Sequence, residues 1–102
     1  MNNKNDTLYV FCYDFPSNKE GNKRRAKITK ILEGHGNRAQ YSVFEVRMSS
    51  TEELEKLISR LEKKMNLIED QLRVYPMDST AEKKIRILGK GQVFHLEDVY
   101  VF

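Results

Sequence analysis

The sequence predicts an α+β fold in which two helices cover one face of a small antiparallel sheet. One observation is the order of its elements: an apolar strand, a helix, two short strands, a second helix and another strand. The other is its length, since 102 residues provide one modest core and not two. This β-α-β-β-α-β order is typical of ferredoxin-like domains.

The first strand is the apolar run from Leu8 to Tyr13, which is followed directly by Asp14. Such a run is typical of a strand buried on both faces. Pro16 cannot donate to a sheet ladder, so we expect the strand to end at or just after Asp14. Two interpretations of this carboxylate stay open: a turn residue that bonds nearby backbone amides, or a functional group at the carboxyl end of a strand.

The first helix is predicted after a polar loop from Ser17 to Asn22. Its apolar face consists of Ile28, Ile31 and Leu32. We expect the helix to end at Gly34 or Gly36. His35, between these glycines, suits the negative end of the helix dipole better than a role as general base.

The middle of the chain predicts two short strands and a second helix. The alternation of apolar residues between positions 38 and 48 changes phase from Val43 to Phe44, which indicates a bulge or a tight reversal. Ser50 and Glu53 form a capping box at the start of the helix. Its apolar positions are Leu54, Leu57, Ile58, Leu61 and Met65.

The last part of the chain predicts a strand from Gln71 to Tyr75, stopped by Pro76, and a further short strand from Lys84 to Leu88. We assign residues 1–7 to a disordered leader, 8–91 to the ferredoxin-like domain and 92–102 to an additional C-terminal strand. Because the uncovered sheet face and this trailing strand need cover, we expect a homodimer in which the tail packs on the partner subunit.

Composition excludes several classes of protein. The longest apolar run is far below the ~20 residues of a membrane span. A single cysteine, Cys12, cannot form an internal disulfide, and a cytoplasmic location is expected. The sequence has no CxxC, HExxH, GxxxxGK[ST] or GxGxxG motif, which argues against zinc, metalloprotease and nucleotide-triphosphate sites.

The positive charge of the chain lies in its first half. Residues 1–50 hold nine Lys and Arg against five Asp and Glu, whereas residues 51–102 hold nine against ten. The basic cluster consists of Lys19, Lys23, Arg24, Arg25, Lys27 and Lys30. It has two interpretations, a contact surface for a polyanion or a solvated helix face.

Asp14 beside this basic helix suggests metal-assisted phosphodiester chemistry. Mg²⁺ needs only one or two protein carboxylates together with water and phosphate oxygens. A two-fold axis through the open sheet face would bring a second Asp14 close to the first and form a shared site. Metal-activated water would then attack a phosphodiester that Arg24 and Arg25 hold.

Three segments in this order and spacing resemble the CRISPR-associated Cas2 family. They are Tyr13-Asp14-Phe15-Pro16, the basic run Lys23-Arg24-Arg25, and Arg38-Ala39-Gln40-Tyr41-Ser42-Val43-Phe44-Glu45. The stretch from Leu72 to Pro76 fits the fourth strand of that family. The resemblance covers most of the chain from Leu8 to Leu88.

The resemblance implies a homodimeric, Mg²⁺-dependent endonuclease, with Mn²⁺ as a substitute, that cleaves single-stranded RNA or double-stranded DNA. It implies Asp14 as metal ligand and catalytic residue. The other positions linked to catalysis are Tyr13, Arg24 or Arg25, Arg38 and Phe44. For nucleic-acid binding, the candidates are Lys23, Arg24, Arg25, Lys27, Lys30 and Arg38.

The resemblance also implies a role in antiviral defence, as the subunit that bridges Cas1 integrase dimers and holds the DNA duplex that becomes a new spacer. The Cas1 assembly is expected to be a heterohexamer or heterotetramer. Two alternatives stay open: a non-catalytic DNA-binding adaptor, and a free-standing ribonuclease toxin of the same fold.

Overall fold

The computed structural model describes residues 6–91. Its elements are β1 Thr7–Asp14, α1 Lys19–Glu33, β2 Asn37–Gln40, β3 Val43–Met48, α2 Thr51–Glu62, β4 Gln71–Met77 and α3 Ser79–Lys83. The tail assigned to residues 92–102, and the first five residues of the expected leader, lie outside the described part of the chain.

The four strands form one antiparallel sheet in the order β2-β3-β1-β4. Strand β1 lies between β3 and β4 and pairs with both, so that Phe11 is opposite Phe44 on one side and Val74 on the other. This order, with a helix after β1 and another after β3, is the ferredoxin-like arrangement that the sequence predicts.

The core lies on one face of the sheet because side chains alternate along each strand. Tyr9, Phe11 and Tyr13 of β1 point into it and are buried, as are Phe44 and Val46 of β3. The helices contribute Ile28 and Leu32 from α1 and Leu54, Leu57 and Leu61 from α2. Both helices therefore cover the same face, as predicted.

Helix α1 begins at Lys19, so the predicted polar loop from Ser17 to Asn22 is wrong beyond residue 18. The side chain of Asn18 caps the helix by accepting from the Gly21 amide at 2.8 Å. Gly21 also lies so close to the carbonyl oxygen of Pro16 that a β-carbon would overlap it. The helix ends before Gly34, as predicted.

The middle of the chain agrees with the prediction. Strands β2 and β3 form a hairpin with a register shift between Arg38 and Gln40. Ser50 caps α2 by accepting from the Glu53 amide at 3.1 Å. The side chain of Glu53 reaches back to the amide of Ser49 at 3.0 Å instead of that of Ser50, so the capping box is shifted by one residue.

The C-terminal part of the domain corrects two predictions. Pro76 does not stop β4, which continues to Met77, because β4 is an edge strand and its outer side needs no ladder partner. Residues 84–88 form no strand, since no described strand lies beside them. They follow helix α3, which the sequence reasoning missed although its cap, Asp78, accepts from the Ala81 amide at 2.7 Å.

An ion pair joins the first half of α1 to the loop before β4. Arg24 donates from Nε and Nη2 to the two carboxylate oxygens of Asp70, at 2.7 and 2.9 Å. The Asp70 side chain has no exposed surface, and its carboxylate also accepts from the Asn66 amide at 2.7 Å. The pKa of Asp70 is lowered, chiefly by the hydrogen bond from Arg24. The pair therefore fixes a loop to a helix 46 residues away.

Replacing Arg24 with methionine should destabilise the domain at neutral pH more than the Lys23→Met control does, because it leaves the Asp70 carboxylate without its cation. Because the folded-state pKa of Asp70 lies below its unfolded value of about 3.9, the pair contributes fully above that pH. Its contribution is lost as pH falls through the folded-state pKa. Urea unfolding across a pH series measures the difference.

The matched control is Lys23→Met, which removes an exposed cation one residue earlier. It should change the free energy of unfolding by less than about 0.5 kcal/mol. An equal loss for both variants, or an Arg24→Met loss that persists unchanged in acid, contradicts the stabilising role of the pair.

Candidate functional site

Asp14 is an exposed carboxylate on a firmly held piece of backbone. It is the last residue of β1 and lies opposite Gln71 of β4. The amide of the preceding residue, Tyr13, donates to the Ser42 carbonyl at 3.1 Å, and the following residue, Phe15, is buried in the core. Within residues 6–91 the Asp14 side chain makes no hydrogen bond or ion pair. The capping interpretation therefore has no support in these contacts.

Tyr13 lies on the other face of the sheet, within the core. Its hydroxyl is 2.6 Å from Thr29 Oγ1 of α1, and its ring packs edge-on against Phe15 and stacks with Phe44. Phe44 has no exposed surface. In the described chain both predicted catalytic aromatics thus contribute to packing, and neither ring shares the face that carries Asp14.

The two candidate arginines differ in what holds them. Arg24 is held by a hydrogen bond to Asp70, which is the main cause of the raised pKa of Arg24. The Arg24 guanidinium also lies 3.4 Å from a carboxylate oxygen of Glu69. Arg25 has a lighter restraint, one hydrogen bond of 2.9 Å to the Asn22 side chain. Between these two positions the structure thus brings Arg25, and not Arg24, forward as a cation available to an anion.

Arg25 and Arg38 both lie near the ring of an exposed tyrosine at the β2–β3 turn. The Tyr41 ring centroid is 5.8 Å from the guanidinium carbon of Arg25 and 5.0 Å from that of Arg38. Arg38 also donates to the Tyr41 carbonyl at 2.6 and 3.0 Å. Because Tyr13 bonds the adjacent Ser42, this cluster lies at the same end of the sheet as Asp14.

Tyr41 is the residue that sequence reasoning missed. The sequence pattern makes it one member of an alternating strand, whereas the structure places it outside both strands with 67% of its surface exposed. The position of Tyr41 beside the change of phase at Val43 could have predicted its exposure. A large ring in a hairpin turn lies beyond the ends of the strands and is not buried in the core.

The predicted nucleic-acid-binding lysines divide between two places. Lys23 is exposed on α1, whereas Lys27 and Lys30 line a groove with Arg60 and Lys64 of α2 and the turn after it. This groove lies in the helical layer. The structure therefore separates these lysines from the sheet face that carries Asp14.

A single chain offers Mg²⁺ one suitable ligand here. Asp14 supplies a hard, unpaired carboxylate oxygen, the ligand type that Mg²⁺ prefers. Among residues 6–91, no three His, Cys, Asp or Glu side chains lie close enough to hold a metal together. Asp14 fits one half of a shared site and not a complete one.

None of the helices in this part of the chain is both long enough and apolar enough to cross a lipid bilayer.

Comparison with known proteins gives one consistent family. The model of the family described as "CRISPR associated protein Cas2" matches residues 7–85. A Synechocystis protein named CRISPR-associated endoribonuclease Cas2 1 is 36% identical over 83% of this chain and 89% of its own length. A Thermus thermophilus protein named CRISPR-associated endonuclease Cas2 2 is 35% identical over 92% of this chain and 94% of its own.

The solved structure of Streptococcus pyogenes Cas2 at pH 6.5 superimposes with a TM-score of 0.71 and 25% identity, covering 80% of this chain and 99% of that one. The family model spans the whole segment from β1 to the end of α3, including Asp14, both arginine positions and the β2–β3 turn. The resemblance predicted from three short segments is confirmed across the folded domain. The chain belongs to the CRISPR-associated Cas2 family.

Proposed function

We propose that this protein is a Mg²⁺-dependent endonuclease of CRISPR adaptation that acts as a homodimer. The observation that carries the proposal is the Asp14 carboxylate, exposed and unpaired within the described chain, on the sheet face opposite α1 and α2 and at the end of β1 away from Leu8, which is buried. The names of the relatives, endoribonuclease and endonuclease, support phosphodiester cleavage as the activity.

The open sheet face is suited to a second copy of the chain. The register places Val10 beside Tyr75 and Cys12 beside Val43, so that half-buried or exposed apolar side chains lie on three strands of this face, next to the charged side chains of Glu45 and Arg73. Asp14 belongs to the same face because it is two residues beyond Cys12. A two-fold axis through this face would place two Asp14 carboxylates near each other, which supports a shared metal site.

The residues of the proposed site would have different roles in catalysis. Two Asp14 carboxylates would hold Mg²⁺, with Mn²⁺ as a substitute, and the bound ion would polarise a water and the phosphodiester that the water attacks. Arg25 and Arg38 would bind the phosphate oxygens as fixed, always charged donors. Tyr41 orients both guanidinium groups, which restricts how the scissile phosphate approaches Asp14.

Family membership, and not geometry, supports the biological role that we propose. We place the protein in spacer acquisition, as a dimer that joins Cas1 integrase subunits and holds a DNA duplex. Single-stranded RNA is the second substrate class, which the word endoribonuclease in a relative's name supports.

Replacing Asp14 with asparagine should lower Mg²⁺-dependent cleavage of RNA or DNA by at least about 100-fold, because the amide is a poor ligand for the ion that activates water. Cleavage of labelled single-stranded RNA and duplex DNA, each with Mg²⁺ and with a chelator, measures the loss. The control Glu20→Gln removes another exposed carboxylate and should cleave as the wild type does. Unchanged cleavage by Asp14→Asn refutes the proposal.

The same Asp14→Asn variant should dimerise more tightly than the wild type in the presence of a chelator, because two like charges near a two-fold axis repel each other. Sedimentation equilibrium measures the two dissociation constants. With added Mg²⁺, the wild type should dimerise more tightly than Asp14→Asn, because the ion neutralises the two Asp14 carboxylates. Equal dissociation constants in both conditions would mean that the two carboxylates do not share a site.

The open face itself is tested by Tyr75→Lys. Tyr75 is 44% exposed on an edge strand, so the substitution leaves the core intact while it places a cation in the expected interface. Dimer dissociation should increase by about 10-fold or more, equal to a loss of about 1.4 kcal/mol. Leu67→Lys, at a residue 63% exposed in the loop before β4, is the control and should leave the dimer unchanged.

A non-catalytic adaptor is the second candidate function. The observation in its favour is that Lys27 and Lys30 lie in the helical layer, away from the face of Asp14. An adaptor predicts that Asp14→Asn binds duplex DNA with unchanged affinity and supports spacer integration as the wild type does. Loss of integration together with loss of cleavage would favour the nuclease.

A further inference from the structure

We propose that the groove between α1 and α2 is a binding site for the phosphate backbone of nucleic acid, and that Arg60 and Lys64 belong to it. The groove has a volume of about 620 Å³. It is lined by Lys27, Lys30, Ile31, Gly34, His35, Arg60 and Lys64. The inference rests on the proposed function for the identity of the polyanion, and it adds a site that Asp14 does not touch.

The charge of the groove has a single sign. Four of its lining residues are cations and none is an acid. Within residues 6–91, none of these four cations makes an ion pair or a side-chain hydrogen bond. Elsewhere in residues 6–91, ion pairs hold Arg24 to Asp70 and Arg47 to Glu82. Like charges brought together from two helices repel each other, so a bound anion would offset that cost.

The spacing of the cations along α1 suits a linear polyanion. Lys23, Lys27 and Lys30 recur at intervals of four and three residues, which places them on one side of the helix. They span seven residues, or about 10 Å along the helix axis. One strand of DNA advances about 3.4 Å per phosphate along its axis, so this row matches about three phosphates.

The lining of the groove includes one aliphatic side chain, that of Ile31, which is half-buried. The stem of a lysine can lie on such apolar surface while its ammonium group stays in solvent. His35 at the end of α1 has Nδ1 2.9 Å from the Ile31 carbonyl, which leaves Nε2 as a further polar atom of the groove. A site of this kind recognises the charge and the spacing of phosphate groups and not the base sequence.

Stabilisation of helix dipoles is the simpler explanation for some of these cations. Lys30 and Arg60 lie in the last turns of their helices, where positive charge is favourable. Lys27 lies before the last turn of α1, however, and dipoles alone do not require cations of both helices to line one groove. The test therefore uses a control that removes the same number of positive charges from α2 and the turn after it.

The experiment compares the double variant Arg60→Gln/Lys64→Gln with Lys56→Gln/Lys63→Gln in the full chain. Both pairs are exposed, both lie on or just after α2, and both remove two positive charges, but only the first pair lines the groove. Binding of a fluorescent DNA duplex is measured by anisotropy over a series of NaCl concentrations, with single-stranded RNA as a parallel probe. Thermal unfolding at low salt confirms that both variants fold.

The groove variant should flatten the plot of log K against log salt by about 0.9 for each phosphate that the protein no longer neutralises, and the control should keep the wild-type slope. The melting temperature of the groove variant at low salt should not fall below that of the control variant. Equal slopes for the two variants would show a diffuse positive field only and would overturn the inference.

The failure of this site and that of the proposed nuclease are distinguishable. If the groove variant binds as the wild type does while Asp14→Asn loses cleavage, the groove inference is wrong and the nuclease stands. If the groove variant has a flatter salt slope while Asp14→Asn cleaves normally, the nuclease proposal is wrong and the groove stands.

Discussion

The two-residue period of β1 is the constraint on which the rest of the molecule depends. This strand is paired on both edges, so its register cannot shift without breaking two ladders. Odd-numbered residues from Tyr9 to Tyr13 enter the core beneath the helices, and even-numbered residues from Val10 to Asp14 line the open face. A shift of one residue would bury the carboxylate of Asp14 and expose the ring of Phe11. The alternation of side chains thus places the core residues of β1 on one face of the sheet and Asp14 on the other.

Local signals in the sequence are enough to predict most of the fold. The apolar run of β1, the phase change at Val43 and the Ser50 cap are each visible in a short stretch of sequence, and each is confirmed. The strand expected over residues 84–88 is wrong for a non-local reason, because a strand needs a neighbour and the described chain offers none there. Pro76 misleads in the opposite direction, since a proline that ends a central strand is tolerated in an edge strand.

The candidate site is less predictable, because its geometry depends on distant partners. The sequence identifies Asp14 but leaves Arg24 and Arg25 equivalent, and the partner that distinguishes them, Asp70, is 46 residues away from Arg24. Tyr41 gains its place between two guanidinium groups from the folding of a hairpin onto α1. The second half of the expected metal site belongs to another copy of the chain, so no reasoning within one chain could provide its geometry.

The placement of charge suggests that holding nucleic acid and cutting it are separate capacities of this domain. Asp14 lies on the open face, whereas the groove cations lie in the helical layer on the opposite side of the sheet. In a dimer joined through the open faces, the two grooves would point outward and the two carboxylates inward. A duplex held by Lys27, Lys30 and Arg60 would then lie away from Asp14, so that its phosphates are bound without being presented for attack. Cleavage would require a substrate that reaches the end of the sheet at which Asp14, Arg25 and Arg38 lie.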